Sequence, residues 1–190
     1  MKKTATYLLI FTWPLLVLSQ QKSRKNDQKT KALRKYFLYL FALLFPLAVC
    51  AQSQKIDSLR KASSGKEDTN KVNALVALGN ELMYTGQMDS ARELNLKAEA
   101  LAGKLAYKKG LGDARNKLGS VYYLMGEYEK ALEYYNASLK IRTELNDRKG
   151  IGAIYNNLGS IYTGLGNYPA ALKCHYEALK IREEIKDEKG

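Results

Sequence analysis

From about residue 70 onward, apolar side chains recur at spacings of three and four, the signature of helices with one buried face. Leu111, Ala114, Leu118, Val121 and Tyr122 trace one such stripe and predict a helix over roughly 110–124. Ala131, Leu132, Tyr135, Leu139, Ile141 and Leu145 trace a second, over roughly 128–145. Gly126 lies between the stripes and predicts a tight turn. Asp147 to Gly150 ends the second helix. Further upstream, Ile56, Leu59 and Ala62 share one face of a short predicted helix over 54–63, packed against the first of the later helices. Asp68 or Thr69 can cap the next helix.

The helix pair repeats. Gly79, Gly119 and Gly159 are 40 residues apart, as are Gly86, Gly126 and Gly166, and Ala91, Ala131 and Ala171. Residues 110–149 align without gaps to 150–189 and match at 18 of 40 positions, while 70–109 follow the frame more loosely. The chain therefore divides into a targeting region (1–51), a short helix and linker (52–69), and three 40-residue units (70–109, 110–149 and 150–189). The expected fold class is all-α, a solenoid of antiparallel helix pairs. Each recurring slot has a physical job. Gly119 and Gly159 let two helices approach closely, and Ala131 and Ala171 fill the crossing point. Tyr122, Tyr128, Tyr162 and Tyr168 fill the gaps between helices.

Leu118, Gly119, Tyr122, Gly126, Tyr128 and Ala131, and again Leu158, Gly159, Tyr162, Gly166, Tyr168 and Ala171, stand in slots that resemble the tetratricopeptide repeat signature. The first unit departs from it, with Leu82 and Met88 in the tyrosine slots. The usual repeat is 34 residues and closes on a proline. Here that proline is missing and the second helix is longer, and the longer form resembles repeats of kinesin light chains and of exported or membrane-linked bacterial signalling proteins.

The resemblance implies an all-α, right-handed superhelical solenoid with a groove, lined by the first helices, that binds extended peptides or partner helices. The residues projecting between packing slots are Asn80, Asn116, Lys117, Ser120, Tyr123, Asn156, Asn157 and Ser160. An asparagine amide offers one acceptor and two donors, so it can hold a peptide backbone whatever its sequence. The same asparagines can equally be solvated or bonded within the scaffold. Several inward-facing basic residues, as in a carboxylate-clamping groove, are not evident.

Two apolar runs precede the repeats, at 7–18 and 36–51, each after basic residues and each short for a membrane span. Three readings stay open. Residues 36–51 form a signal peptide, cut after Ala51, in a chain that starts near Leu33; or the runs are an uncleaved anchor; or Cys50 carries a lipid. All three send residues 52–190 out of the cytoplasm, so an exported protein of the periplasm or cell envelope is expected, touching membrane only through its N-terminal segment.

Charge changes the picture only once it is located. The net charge is +12, but residues 1–61 hold 12 basic and 2 acidic side chains, against 19 and 17 in the remainder. The repeats lack the concentrated basic face that nucleic acid requires, so no nucleic-acid partner is expected. No catalytic residue, metal or cofactor is expected either. Cys174 and His175 are adjacent in a helix and do not face each other, and both read as packing. The chain is expected to be a non-catalytic scaffold for a protein or peptide. The sensory N-terminal portion of a signal-transduction protein, such as a sensor histidine kinase, is the alternative. Gly190 stands where a fourth unit would begin, so the array is expected to be truncated. The uncapped last repeat, with Ile181 and Ile185 as its exposed stripe, is then a candidate for self-association.

Overall fold

The computed structural model describes residues 27–186, with the side chains of 27–33 and 43–51 left out. The chain separates into two units, 1–57 and 58–190. The apolar run at 7–18 and the side chain of Cys50 lie outside the described residues.

Helix α1 runs Asp27–Ser63. The stretch 54–63 is therefore the end of a 37-residue helix rather than a separate short one. No glycine stands between Asp27 and Ser63, nothing breaks the chain between the apolar run and 54–63, and the single proline, Pro46, does not end the helix. Ile56 and Leu59 are half-buried, whereas Ala62 is exposed. Among the described residues no helix is long and apolar enough to cross a membrane.

Within the described residues six further helices form three hairpins: α2 (Thr69–Tyr84) with α3 (Met88–Lys104), α4 (Lys108–Leu124) with α5 (Tyr128–Glu144), and α6 (Arg148–Gly164) with α7 (Tyr168–Glu184). Asp68 caps α2 by accepting the Lys71 amide at 2.9 Å. Within each hairpin the turn glycine is left-handed, at φ +76° for Gly86, +80° for Gly126 and +73° for Gly166. At the end of each hairpin the left-handed residue is not a glycine but Ala106, Asn146 or Lys186. α5 thus ends at Glu144, with the left-handed Asn146 just beyond it, and Asp147 caps α6 by accepting the Gly150 amide at 2.9 Å.

Packing follows the frame. α3 lies against α4 and α5 against α6, while α2, α4 and α6 touch in sequence along one side. The described part of the second unit is an all-α solenoid of antiparallel helix pairs, with the first helix of each pair on its inner surface. Its core runs through Leu118, Tyr122, Ala131, Tyr135, Ile154, Leu158 and Ile161, with a second cluster around Val72, Leu75, Ala98 and Leu101. A Cβ on Gly119 would lie 2.8 Å from the Tyr135 ring, and one on Gly159 2.6 Å from the His175 ring. Close approach is thus what those glycines provide.

Two expectations need correction. Tyr122 is buried and Tyr128 and Tyr162 are half-buried, but Tyr168 is 68% exposed. The Tyr128 ring lies against Gly164 of the following hairpin, and no described helix follows α7 to receive Tyr168. Ile181 is not exposed either; it packs under Gly152 of its own hairpin. The exposed stripe of α7 is instead Tyr168, Leu172, Tyr176 and Leu179.

Candidate functional site

The inner surface is built from one face of each first helix. Asn73, Val76, Ala77 and Asn80 on α2 stand at spacings of three and four, so they lie on one side of the helix. The 40-residue period repeats that face as Asp113, Asn116, Lys117 and Ser120 on α4, and as Ala153, Asn156, Asn157 and Ser160 on α6. Between α2 and α4 it forms a cavity of about 280 Å³ lined by Asn73, Val76, Ala77, Asn80, Asp113 and Lys117.

Of the residues chosen from sequence, Asn80 and Lys117 share this cavity. The Asn80 Oδ1 is buried and has no hydrogen-bond partner. Lys117 is half-buried, and desolvation is the main cause that lowers its pKa; Asp113 opposes this and Arg142 reinforces it. Asp113 is already committed. Arg142, at the end of α5, binds both Asp113 and Asp147 with a side chain only 12% exposed. No ion pair to Lys117 exists among the described residues.

The remaining chosen residues are largely used by the scaffold. Asn157 donates to the Asn116 Oδ1 at 3.4 Å, joining α6 to α4. The Asn156 Oδ1 lies 3.2 Å from His175 Nδ1, which donates when that nitrogen carries the proton. Ser120 accepts from the Tyr135 hydroxyl at 3.0 Å and donates to its own helix at Asn116 O, 3.1 Å away. Ser160 donates to Asn156 O at 3.2 Å. The Tyr123 ring is tilted against Tyr128, centroids 5.8 Å apart, at the edge of the core. Sequence reasoning misses Asn73 and Asp113. They occupy one slot of the frame, two turns before Asn80 and one turn before Lys117, so continuing the same face back along α2 and α4 finds them.

The chemistry is that of recognition. Two amides, one cation, the Asp113 carboxylate and short apolar side chains face the cavity. Burial pushes the Cys174 thiol up, away from the thiolate form. Among the described residues, no group of three or more His, Cys, Asp or Glu could hold a metal ion.

Stacked hairpins with a face repeated along their first helices define a helical-repeat solenoid. Residues 110–184 match the tetratricopeptide repeat family model. Solved structures share the fold. BtubC from P. vanneervenii is 23% identical, with a TM-score of 0.59 over 75% of this chain and 58% of that one. MamA is 22% identical, with a TM-score of 0.56 over 98% and 95%. The Podosopora anserina putative kinesin light chain, with nearly identical TPR-like repeats, is 13% identical, with a TM-score of 0.57 over 95% and 87%. No curated protein matches the chain. The fold is one that serves protein interaction in general, and its family is typically non-catalytic.

Proposed function

We propose that this protein is a non-catalytic scaffold that binds an extended segment of a partner protein along the inner face of α2, α4 and α6. The supporting observation is the cavity where a half-buried Lys117 without an ion pair faces Asn80, whose Oδ1 lacks a partner. A buried acceptor without a donor costs free energy until something donates to it. A peptide N–H supplies the donor, and an acidic side chain of the same peptide neutralises Lys117. The protein works outside the cytoplasm in this reading, held to a membrane through its N-terminal segment. Consecutive exposed apolar residues on α1, Leu38, Tyr39 and Leu40, suit contact with lipid.

A random peptide library selected on the immobilised full chain tests the groove. Peptides carrying an acidic residue should be enriched and should lose about tenfold or more in affinity on Lys117→Glu, about 1.4 kcal/mol. Lys173→Glu, on a second helix and away from the inner face, is the control. Equal affinity for the Lys117→Glu variant would overturn the reading.

A further inference from the structure

Of the three hairpins, only the middle one places a cation in the inner-face slots, and the same hairpin ties away the acid that would neutralise it. Asp113 and Lys117 stand four residues apart on α4 and line one cavity. That spacing lets an acid and a base pair across one helical turn. Asp113 instead binds Nη2 of Arg142, which arrives from the end of α5. The other terminal nitrogen of Arg142, Nη1, binds Asp147. Both charges reach the ammonium: burial is the main cause that lowers the Lys117 pKa, Asp113 raises it and Arg142 lowers it.

The guanidinium is held in place from several sides. Its side chain is largely buried, and a glycine at position 150 leaves room for it, since a Cβ there would stand 2.6 Å from Arg142 Cδ. A planar guanidinium fork can hold two carboxylates at once, where an ammonium is a single point charge. The arrangement is confined to the hairpin that carries the inner cation. At the slots of Asp113, Lys117 and Arg142 the first hairpin has Asn73, Ala77 and Ala102, and the Tyr107 hydroxyl donates to Asn73 Oδ1 at 3.3 Å. The third has Ala153, Asn157 and Arg182. Neither of these hairpins has an inner lysine, and neither has an inner acid for an arginine to hold.

We propose that Arg142 is a positioning residue for the inner face: by holding Asp113, it keeps the Lys117 ammonium unpaired and open to a carboxylate of the partner segment. The inference rests on the groove reading above, in which a ligand is what the free cation serves. Without Arg142, Asp113 turns to Lys117 one turn along the helix and competes with the ligand's carboxylate. The competitor is part of the same helix and is always at hand, so affinity falls although Lys117 and Asn80 are unchanged.

The test is a double-mutant cycle in the full chain with two readouts. Lysines are converted to carbon-13 dimethyl-lysine, which keeps the charge, and the Lys117 signal, assigned by its loss in Lys117→Gln, is titrated by NMR. Affinity is measured for an acidic peptide selected on the immobilised parent chain. Arg142→Met should raise the Lys117 pKa and weaken the peptide several-fold, and adding Asp113→Asn should reverse both. Asp113→Asn should therefore act more strongly in the Arg142→Met background than in the parent chain. An arginine that merely braces α4 against α5 gives no such rescue. Equal effects of Asp113→Asn in the two backgrounds overturn the inference, as does a Lys117 titration that Arg142→Met leaves in place. Coupling in the titration, together with an affinity indifferent to Lys117→Glu or with no acidic peptide selected, supports the role of Arg142 and overturns the groove reading instead. If Arg142→Met fails to fold, Arg142→Lys, which keeps the charge but loses the fork, takes its place with the same signs expected.

Discussion

Gly119→Ala and Gly103→Ala put the same methyl group on two helical glycines and should move stability in opposite directions. Alanine is the better helix former by about 1 kcal/mol, so propensity favours both changes. At Gly103 a Cβ meets nothing within 4 Å, and the full gain of about 0.5–1 kcal/mol should appear. At Gly119 the Cβ would sit 2.8, 2.8 and 2.9 Å from three carbons of the Tyr135 ring. That ring is 2% exposed and its hydroxyl is tied to Ser120, so it cannot swing aside. Relief has to come from separating α4 and α5 along their crossing. Overpacking of this kind costs about 1–3 kcal/mol or more, and set against the propensity gain it leaves Gly119→Ala destabilised by about 1–2 kcal/mol. Urea unfolding followed by far-ultraviolet circular dichroism measures both. Removing the ring should remove the penalty, so Gly119→Ala combined with Tyr135→Ala should be less destabilised than the sum of the two single changes. If Gly119→Ala stabilises as much as Gly103→Ala does, the close-approach argument for the 79/119/159 slot is wrong.

Three further outcomes are expected. Gly126→Ala keeps an open surrounding but forces a methyl group onto φ +80°, so it should lose about 1–2 kcal/mol in the same unfolding assay. Burial pushes the Tyr135 phenol up to about 12, above its unfolded value of about 10. The folded state therefore holds that proton more tightly; the stabilisation is complete below pH 10 and is lost as pH climbs toward 12. Tyr135→Phe should flatten that alkaline decline, while costing about 1 kcal/mol at neutral pH for the lost bond to Ser120. Lys117 has the opposite sign: its pKa is lowered by burial, so the unfolded chain binds its proton more tightly and stability rises as pH approaches the ordinary lysine value of 10.5. Lys117→Met should raise stability at neutral pH and remove that rise, read from unfolding midpoints across a pH series.

Much of this fold is legible from residue order. The period of 40, the helix pairs, the turn glycines and the close-approach slots all follow from local rules of spacing and backbone conformation, which a chain carries along its length. The start of the first hairpin is legible for the same reason, through Asp68. The long α1 is less so, because an apolar run beside a short amphipathic stretch looks like two segments, and only the absence of stop signals between them makes one helix.

The groove is legible only as a face. Residue order puts Asn80, Asn116, Asn156 and their neighbours on the inner side of the first helices. It cannot say that Asn156 is taken by His175, Asn157 by Asn116, or Ser120 by Tyr135. Those pairings depend on side-chain reach between helices 15 to 41 residues apart. The slot opposite the inner serine shows why: Tyr135 is long enough to reach Ser120, His175 stops at Asn156, and Asn95 turns back to the Ala91 carbonyl of its own helix. One frame with three side-chain lengths gives three different bonds. Likewise, sequence alone determined that Tyr128 and Tyr168 occupy equivalent slots. Tertiary structure decided that one is packed and the other exposed, because burial belongs to the neighbour that covers a residue and not to the residue itself.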